Sequence, residues 1–280
     1  MTARGETLRR LITSYDRGVV RRVLKTTMPF VPERALLIAN RYPRIRNLLR
    51  DALTEAPRTG LAEGKIGRGP ARGQPIQVDM ASDERRLIAG TYEPWIHNLL
   101  PHILREGMSM WDVGAHIGYY VITACALSPT GHHLAVEPDP ANVERLRHNL
   151  ALNNLTVEVI GAAVSDRAHN VQFESNSALG RIRESGDRTV PALPLDALLN
   201  EHEPPQLVMM DIEGAEGIVI PAATRFLDEV RPTWLIELHG EGGAAAYETL
   251  IDHGYSVRQS QPGDAEHLAT LRSHALFTPV

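Results

Sequence analysis

The 280-residue chain is 43% hydrophobic and 22% charged, which is ordinary for a soluble globular protein. No apolar run approaches the roughly 18–20 residues that a membrane-spanning helix needs, and the N-terminus lacks the apolar core of a signal peptide. The sequence therefore predicts a cytoplasmic protein without an integral membrane segment, and its single cysteine, Cys125, excludes an intramolecular disulfide framework.

Charge is divided unevenly along the chain. Residues 1–56 carry twelve Lys and Arg against five Asp and Glu, whereas the remainder carries 17 against 29. A basic segment on an acidic body can bind an anionic partner, or it can be the solvated face of a helix. The main body shows no basic stripe and few aromatic residues, so nucleic acid is not an expected partner.

Apolar residues at spacings of three and four predict an amphipathic helix over residues 6–26, and a second helix over about 33–54. The Gly-, Pro- and Arg-rich stretch 57–75 is typical of a linker or an extended crossing. The apolar face of the first helices is too narrow to fold alone, so we expect a homodimer contact or a lid over the acceptor pocket. The predicted organisation is a helical extension (1–56), a linker (57–79) and a main domain (80–280).

From Ile76 onward, β-rich runs alternate with helical runs. The predicted strands are SMWDVGA, HHLAVEP, TVEVIGAAV, QLVMMDI, TWLIEL and SHALFTPV, and the predicted helices are Ile117–Leu127, PANVERLRHNLALNN and a segment ending at Gly254. This alternation predicts an α/β fold, a mostly parallel sheet with helices on both faces. Ligands of such sheets bind at the carboxyl ends of the strands.

The stretch MWDVGAHIGYYVITACAL joins a predicted strand to a helix at such an end. Gly114 and Gly118 can adopt positive φ and let a ligand approach the backbone, and the helix N-terminus favours a carboxylate or a phosphate. The loop lacks the middle glycine of a dinucleotide fingerprint, and Asp112 would repel phosphate but attract an ammonium group. S-adenosylmethionine, with a ribose, a positive centre and one carboxylate, therefore fits better than NAD. Glu137, 23 residues after Gly114, is placed to accept hydrogen bonds from ribose hydroxyls.

Four acids fall where predicted strands end: Asp112, Glu137, Asp166 and Asp211. Each feature has a structural alternative. The glycines could make only a tight turn, Glu137 could cap the next helix, and Asp166 could form an Asx turn. Turn chemistry explains the joint occurrence of all four acids less well.

The segments MWDVGAHIGYY, AVEPDPANVERLRHNLALNN, GAAVSD and VMMDIEGAE, in this order and spacing, resemble the FkbM family of S-adenosylmethionine-dependent methyltransferases over roughly residues 80–280. The resemblance implies a class I methyltransferase (Rossmann-like) fold and methyl transfer to oxygen, usually on hydroxyls of sugars or natural products. It also implies cofactor contacts along the methionine (Asp112, Gly114, His116, Gly118, Tyr119), at the ribose (Glu137), at the adenine edge (Val164, Ser165, Asp166) and from a closing segment (Tyr92, Glu93).

A hydroxyl acceptor must lose its proton, for which a positioned base contributes about 10²–10⁴-fold. The candidates are Asp211 and Glu213 in DIEGAE, and Glu237 and His239 in LIELHG, which would meet if adjacent strands carry these segments. We expect His239 to act as base and Asp211 to organise the cofactor ammonium group or the acceptor hydroxyl, with Glu213 as the second catalytic candidate. Alternatively, His239 is a structural strand-end residue, and Glu213 and Glu216 begin a helix. The donor types would suit a divalent cation, but they show no dedicated spacing, so we predict no metal.

Two rival functions remain open at this point. One is an NAD-dependent oxidoreductase, which the strand, the glycine loop and Glu137 would also suit. The other is a noncatalytic cofactor-binding module that the basic N-terminal helices tether to a membrane or to nucleic acid.

Overall fold

The structure is a computed structural model that describes residues 60–174, 181–183, 188–259 and 273–280. The two helices predicted within residues 1–56 lie outside the described residues, so they stay predictions. Within the described part of the chain, no helix is both long enough and apolar enough to cross a membrane.

The described chain alternates strands and helices as predicted for an α/β protein. The strands are β1 (Leu61–Lys65), β2 (Pro75–Asp79), β3 (Met110–Val113), β4 (Leu134–Val136), β5 (Glu158–Ile160), β6 (Ala163–Ser165), β7 (His169–Glu174), β8 (Arg181–Arg183), β9 (Arg188–Pro194), β10 (Leu207–Met210), β11 (Thr233–Leu238), β12 (Tyr255–Gln259) and β13 (Ser273–Pro279). The helices are α1 (Arg85–Ala89), α2 (Pro94–Ile103), α3 (Tyr119–Leu127), α4 (Pro140–Leu152), α5 (Leu195–Leu198), α6 (Glu216–Ala222), a π-helical turn (Phe226–Val230) and α7 (Gly240–Asp252).

The main sheet has seven strands in the order β12-β13-β11-β10-β3-β4-β5. Five neighbouring strands of this sheet pair in parallel, namely β5, β4, β3, β10 and β11. Strand β13 is antiparallel to both of its neighbours, β11 and β12. The carboxyl ends of β3, β4, β10 and β11 therefore meet at one edge, where the sequence placed the ligand.

Both faces of this sheet are covered, because the residues of its central strands are buried on both sides. Trp111 and Val113 of β3 pack in one cluster with residues of α5, α6 and α7. Met110 of the same strand packs in another cluster with Ile96 and Leu100 of α2. Side chains alternate across a strand, so one buried strand supplies both cores.

Two predicted elements differ from the structure. The run TVEVIGAAV is not one strand, because β5 pairs with β4 in the main sheet whereas β6 pairs with β9 in a separate four-stranded sheet. The described part of the predicted linker is a packed hairpin, in which β1 pairs with β2 and Ile66, Ile76 and Val78 enter the core. Residues of β2 alternate between buried and partly buried positions, as in a strand with one face in the core. The Gly- and Pro-rich sequence around β2 obscured this alternation.

Candidate functional site

The glycine loop after β3 is shaped by contact with the neighbouring strand end. Gly114 has a φ of +88°, and a Cβ there would lie 1.9 Å from the backbone oxygen of Asp211. Gly118 has a φ of +86°, caps α3, and would bring a Cβ to 3.0 Å from Leu146. Both glycines are therefore required by turn geometry, and Gly114 lets the ends of β3 and β10 approach each other closely.

Glu137 directly follows β4 and is held by three donors of the protein. Its carboxylate accepts hydrogen bonds from the His116 N–H at 2.8 Å, the Asp139 N–H at 3.0 Å and the Asn142 side chain at 3.3 Å. Burial raises the pKa of Glu137 to about 7, although these hydrogen bonds act to lower it. Helix α4 is instead capped by Asp139, which accepts from Ala141 N–H. The capping alternative for Glu137 is therefore wrong, and its fixed carboxylate lies at the sheet edge.

Asp112 is buried beneath the loop, and its Oδ2 has no hydrogen-bond partner among the described residues. Burial raises the pKa of Asp112 to about 8, with the charges of Glu137 and Asp211 adding to the shift. The carboxyl is then mostly protonated at pH 7. This differs from the charged Asp112 that the sequence argument assumed.

His116 contributes its backbone rather than its side chain to this edge. Its amide holds Glu137, while its imidazole lies 3.4 Å from Glu84. Glu84 also forms a bidentate pair with Arg145 of α4. Local sequence patterns do not reveal this pair, because its members lie 61 positions apart.

A small cleft of about 50 Å³ opens at the carboxyl edge of β3, β4 and β10. Three predicted site residues line it directly: Gly114, Val164 and Asp211. Val136 and Pro138, on either side of Glu137, line it as well. The other adenine-edge candidates do not, since Ser165 donates to Asp166 and Asp166 pairs with the exposed Arg167.

A cluster of four side chains lies at the carboxyl ends of β10 and β11. The Nε2 of His239 is 3.8 Å from Asp211 Oδ1, 3.6 Å from Glu213 Oε2 and 3.7 Å from Glu237 Oε1. The expected meeting of these candidates on adjacent strands is confirmed, because β10 and β11 pair in parallel. We call Asp211, Glu213, Glu237 and His239 the edge cluster. Glu213 lies beyond the end of β10, and its φ of +56° belongs to the left-handed region.

Glu216, the first residue of α6, fixes the imidazole of His239. It is fully buried, and its Oε1 lies 2.8 Å from the Nδ1 of His239. Burial alone would lower the pKa of His239, but Glu216, Asp211 and Glu237 raise it above its ordinary value. Burial, followed by the charge of Glu237, raises the pKa of Asp211 well above its usual range. The alternative that Glu213 and Glu216 begin a helix is confirmed for Glu216 and wrong for Glu213, which lies before α6. Glu216 also positions the proposed base.

The segment ahead of α2 contacts the first turn of α3. Tyr120 donates a hydrogen bond to Glu93, while the Tyr119 hydroxyl is 2.5 Å from the Nε2 of His97. The rings of Tyr92 and Tyr119 meet edge to face at 5.9 Å. Tyr119 is thus buried against α2 rather than lining the cleft.

Tyr92 and Glu93 lie near enough to the edge cluster to sense its charge. Burial raises the pKa of Glu93 to about 7, and Asp211 adds to the shift. Burial and the charges of Glu93 and Asp211 raise the pKa of Tyr92 well above its usual range. These two residues therefore border the cluster, in agreement with a segment that closes one side of the site.

The seven-stranded sheet with a single reversed strand, together with a cleft at its carboxyl edge, defines a Rossmann-like class I methyltransferase fold. The family model described as "Methyltransferase FkbM domain" matches residues 112–257, more than half of the chain. The protein belongs to this family, as the sequence motifs indicated.

The chain is 28% identical over 147 residues to the hexuronic acid methyltransferase AglP of Haloferax volcanii, covering 50% of this chain and 60% of that protein. Among solved structures, a methyltransferase FkbM from Methylobacillus flagellatus has a TM-score of 0.45 at 16% identity, covering 83% of this chain and 59% of that one. A precorrin-6y C5,15-methyltransferase from Geobacter metallireducens has a TM-score of 0.40 at 19% identity, covering 66% and 85%. The fold assignment rests on the strand order and the family match, since both TM-scores lie below 0.5.

Proposed function

We propose that the protein is an S-adenosylmethionine-dependent O-methyltransferase that methylates a hydroxyl of a small molecule. The observation that carries this proposal is the cleft at the sheet edge, because Asp211 belongs both to its lining and to the edge cluster. A methyl donor bound in the cleft would thus lie beside groups able to accept a proton. The similarity to a hexuronic acid methyltransferase makes a uronic acid glycoside the first acceptor class to test.

Groups in and beside the cleft offer partners for each part of S-adenosylmethionine. Glu137 presents a carboxylate that the backbone has already fixed, as ribose hydroxyls require. Val164 and Ala163 give the cleft an apolar wall suited to adenine. The buried Oδ2 of Asp112, which has no partner among the described residues, offers a hydrogen-bonding group to the amino-acid end of the cofactor.

When bound, the cofactor supplies a methyl group on positively charged sulfur; the acceptor oxygen forms the new C–O bond, and the C–S electron pair stays on sulfur. The chain itself must align the acceptor, exclude water and take up the proton that the acceptor loses. Alignment alone lowers the activation barrier by about 7–11 kcal/mol. Asp211, Glu213 and His239 are the proposed groups for the proton and the acceptor hydroxyl. Glu216 keeps His239 in one orientation for this step.

Binding and turnover test the proposal separately. Calorimetry with S-adenosylhomocysteine should show binding, whereas NAD should not bind. Glu137→Gln should weaken S-adenosylhomocysteine binding by about 10–100-fold, because hydrogen bonds to a charged group contribute about 1.5–3 kcal/mol. Glu144→Gln, an exposed carboxylate on α4, should not change binding.

Transfer of a radiolabelled methyl group to uronic acid glycosides, followed by mass analysis, tests the reaction. Label in an ether-linked methyl group supports the proposal. Label at the carboxylate of the acceptor would contradict O-methylation of a hydroxyl, and cofactor binding without any transfer across a broad acceptor panel would favour the noncatalytic module. The cytoplasmic location and the dimer contact through residues 1–56 stay predictions.

A further inference from the structure

We propose that Asp211, Glu237 and His239 form a binding site for a divalent cation, Mn²⁺ or Mg²⁺, at the carboxyl edge of β10 and β11. One candidate ligand atom from each residue lies within 4.8 Å of the other two. With bonds of about 2.1 Å, octahedral ligand atoms are about 3.0 Å apart when adjacent and about 4.2 Å apart when opposite. The distances of 3.7 and 3.8 Å from His239 Nε2 to the two carboxylates fall between these values.

The Nε2 of His239 is an independent observation that points to a ligand. The residue is 8% exposed, and this nitrogen has no hydrogen-bond partner among the described residues, although three carboxylates surround it. The hydrogen bond to Glu216 engages Nδ1, so Nε2 is the ring nitrogen that faces the edge cluster and can bind a cation in place of a proton. A carboxylate that orients an imidazole in this way is the usual outer partner of a metal-binding histidine.

The donor set favours the cations named. Two carboxylates and one imidazole supply hard oxygen atoms and one nitrogen, with room for water or an acceptor oxygen at the remaining positions. No metal motif is visible in the sequence, because Asp211 lies 26 residues from Glu237 and only the parallel pairing of β10 with β11 brings them together.

The cation's role in catalysis rests on the proposed function, whereas its binding does not. A cation beside Asp211 would hold the acceptor hydroxyl next to the cleft and favour loss of its proton. With Nε2 of His239 bound to the cation, Glu213 would be the group that receives that proton, since its Oε2 lies 3.6 Å from the same nitrogen.

The test uses the full chain after treatment with EDTA and desalting, titrated with Mn²⁺ while free Mn²⁺ is followed by electron paramagnetic resonance. One saturable site per chain is expected. Glu237→Gln and Asp211→Asn should each weaken Mn²⁺ binding at least tenfold. The matched control is Glu248→Gln, which makes the same chemical change at an exposed position on α7 and should bind Mn²⁺ like the wild type.

The proposal is overturned if the wild-type chain shows no saturable Mn²⁺ binding at millimolar concentration, or if all three variants bind Mn²⁺ equally well. Thermal unfolding of the wild type supplies a readout that needs no variant: saturating Mn²⁺ should raise the Tm, and an unchanged Tm contradicts the site. Mn²⁺ binding without methyl transfer would retain the cation site and reject the proposed function. Full methyl transfer in EDTA, without Mn²⁺ binding, would reject the cation site and retain the proposed function.

Discussion

The carboxyl edge of the main sheet has two halves, one at β3 and β4 and one at β10 and β11. Both halves carry Asp, Glu and His residues, but the hydrogen-bond partners of these side chains differ. On β4, the carboxylate of Glu137 accepts three hydrogen bonds from the protein, two of them from backbone N–H groups. On β11, the Nε2 of His239 lies 3.6 Å or more from three carboxylates and makes no hydrogen bond among the described residues. Glu137 therefore has its donors in place, whereas the Nε2 of His239 is a group that a further ligand would satisfy.

Local backbone geometry explains the difference. The turns after β3 and β4 lead into α3 and α4, and these turns aim free N–H groups at Glu137. In the loop after β10, Glu213 adopts positive φ and directs another carboxylate towards His239. We therefore expect the β3–β4 half to govern cofactor affinity and the β10–β11 half to govern turnover.

The largest expected effect is that of His239→Asn. The Asn amide can occupy the place of Nδ1 and keep the hydrogen bond to Glu216, while the nitrogen that faces the edge cluster is lost. Methyl transfer should fall by at least about 100-fold, whether His239 acts as base or as cation ligand. Affinity for S-adenosylhomocysteine, measured by calorimetry, should stay within about threefold of the wild-type value.

His102→Asn is the matched control, because His102 is exposed on α2 and should tolerate the change without loss of activity. A parallel loss of cofactor affinity in His239→Asn would mean that the two halves act as one unit. The division between affinity and turnover would then be wrong.

A smaller effect is expected where the two halves touch, at Gly114. Gly114→Ala must accommodate both a φ of +88° and a Cβ position 1.9 Å from the backbone oxygen of Asp211. Gly73 has the same φ with nothing within 4 Å of the added Cβ, so Gly73→Ala isolates the cost of the backbone conformation. That cost is about 1–2 kcal/mol, and overpacking adds about 1–3 kcal/mol.

Urea unfolding of both variants measures the difference in the free energy of unfolding. Gly114→Ala should be the less stable variant by about 1–3 kcal/mol. Equal stability would show that the Asp211 loop moves aside freely, so that the close approach of β3 to β10 does not couple the two halves.

Much of this architecture was predictable because apolar runs bounded by polar residues mark buried parallel strands. TWLIEL coincides with β11, and Glu237 and His239 share one face as strand alternation requires. Glu213 reaches the same cluster by a different route, because β10 ends at Met210 and only a left-handed backbone turns its side chain back. Sequence periodicity carries no signal for that turn.

Features that depend on distant pairing were not predictable. The Glu84–Arg145 pair joins the segment before α1 to α4, and the antiparallel partner of β2 lies in a stretch with the composition of a linker. The protonation of Asp112 depends on burial beneath α3, which a strand pattern does not reveal. Such features follow from the tertiary fold rather than from local preference.

The smallest expected effect is the pH dependence of cofactor binding in the β3–β4 half. Burial raises the pKa of Glu137 to about 7, so the carboxyl is ionised above pH 7 and becomes neutral as the pH falls below it. A neutral carboxyl is a weaker acceptor for ribose hydroxyls, so affinity for S-adenosylhomocysteine should fall by up to about tenfold between pH 8 and pH 6. Calorimetry across this range measures the change.

Glu137→Gln separates this titration from that of its neighbour. The variant should bind S-adenosylhomocysteine weakly, with little change between pH 7 and pH 6, because the titrating group is gone. Asp112 has a pKa of about 8, which the charge of Glu137 helps to raise, so any change in affinity that follows Asp112 should move to lower pH in the variant. If wild type and variant instead lose affinity equally between pH 7 and pH 6, Glu137 does not hold the ribose, and the β3–β4 half binds the cofactor through other groups.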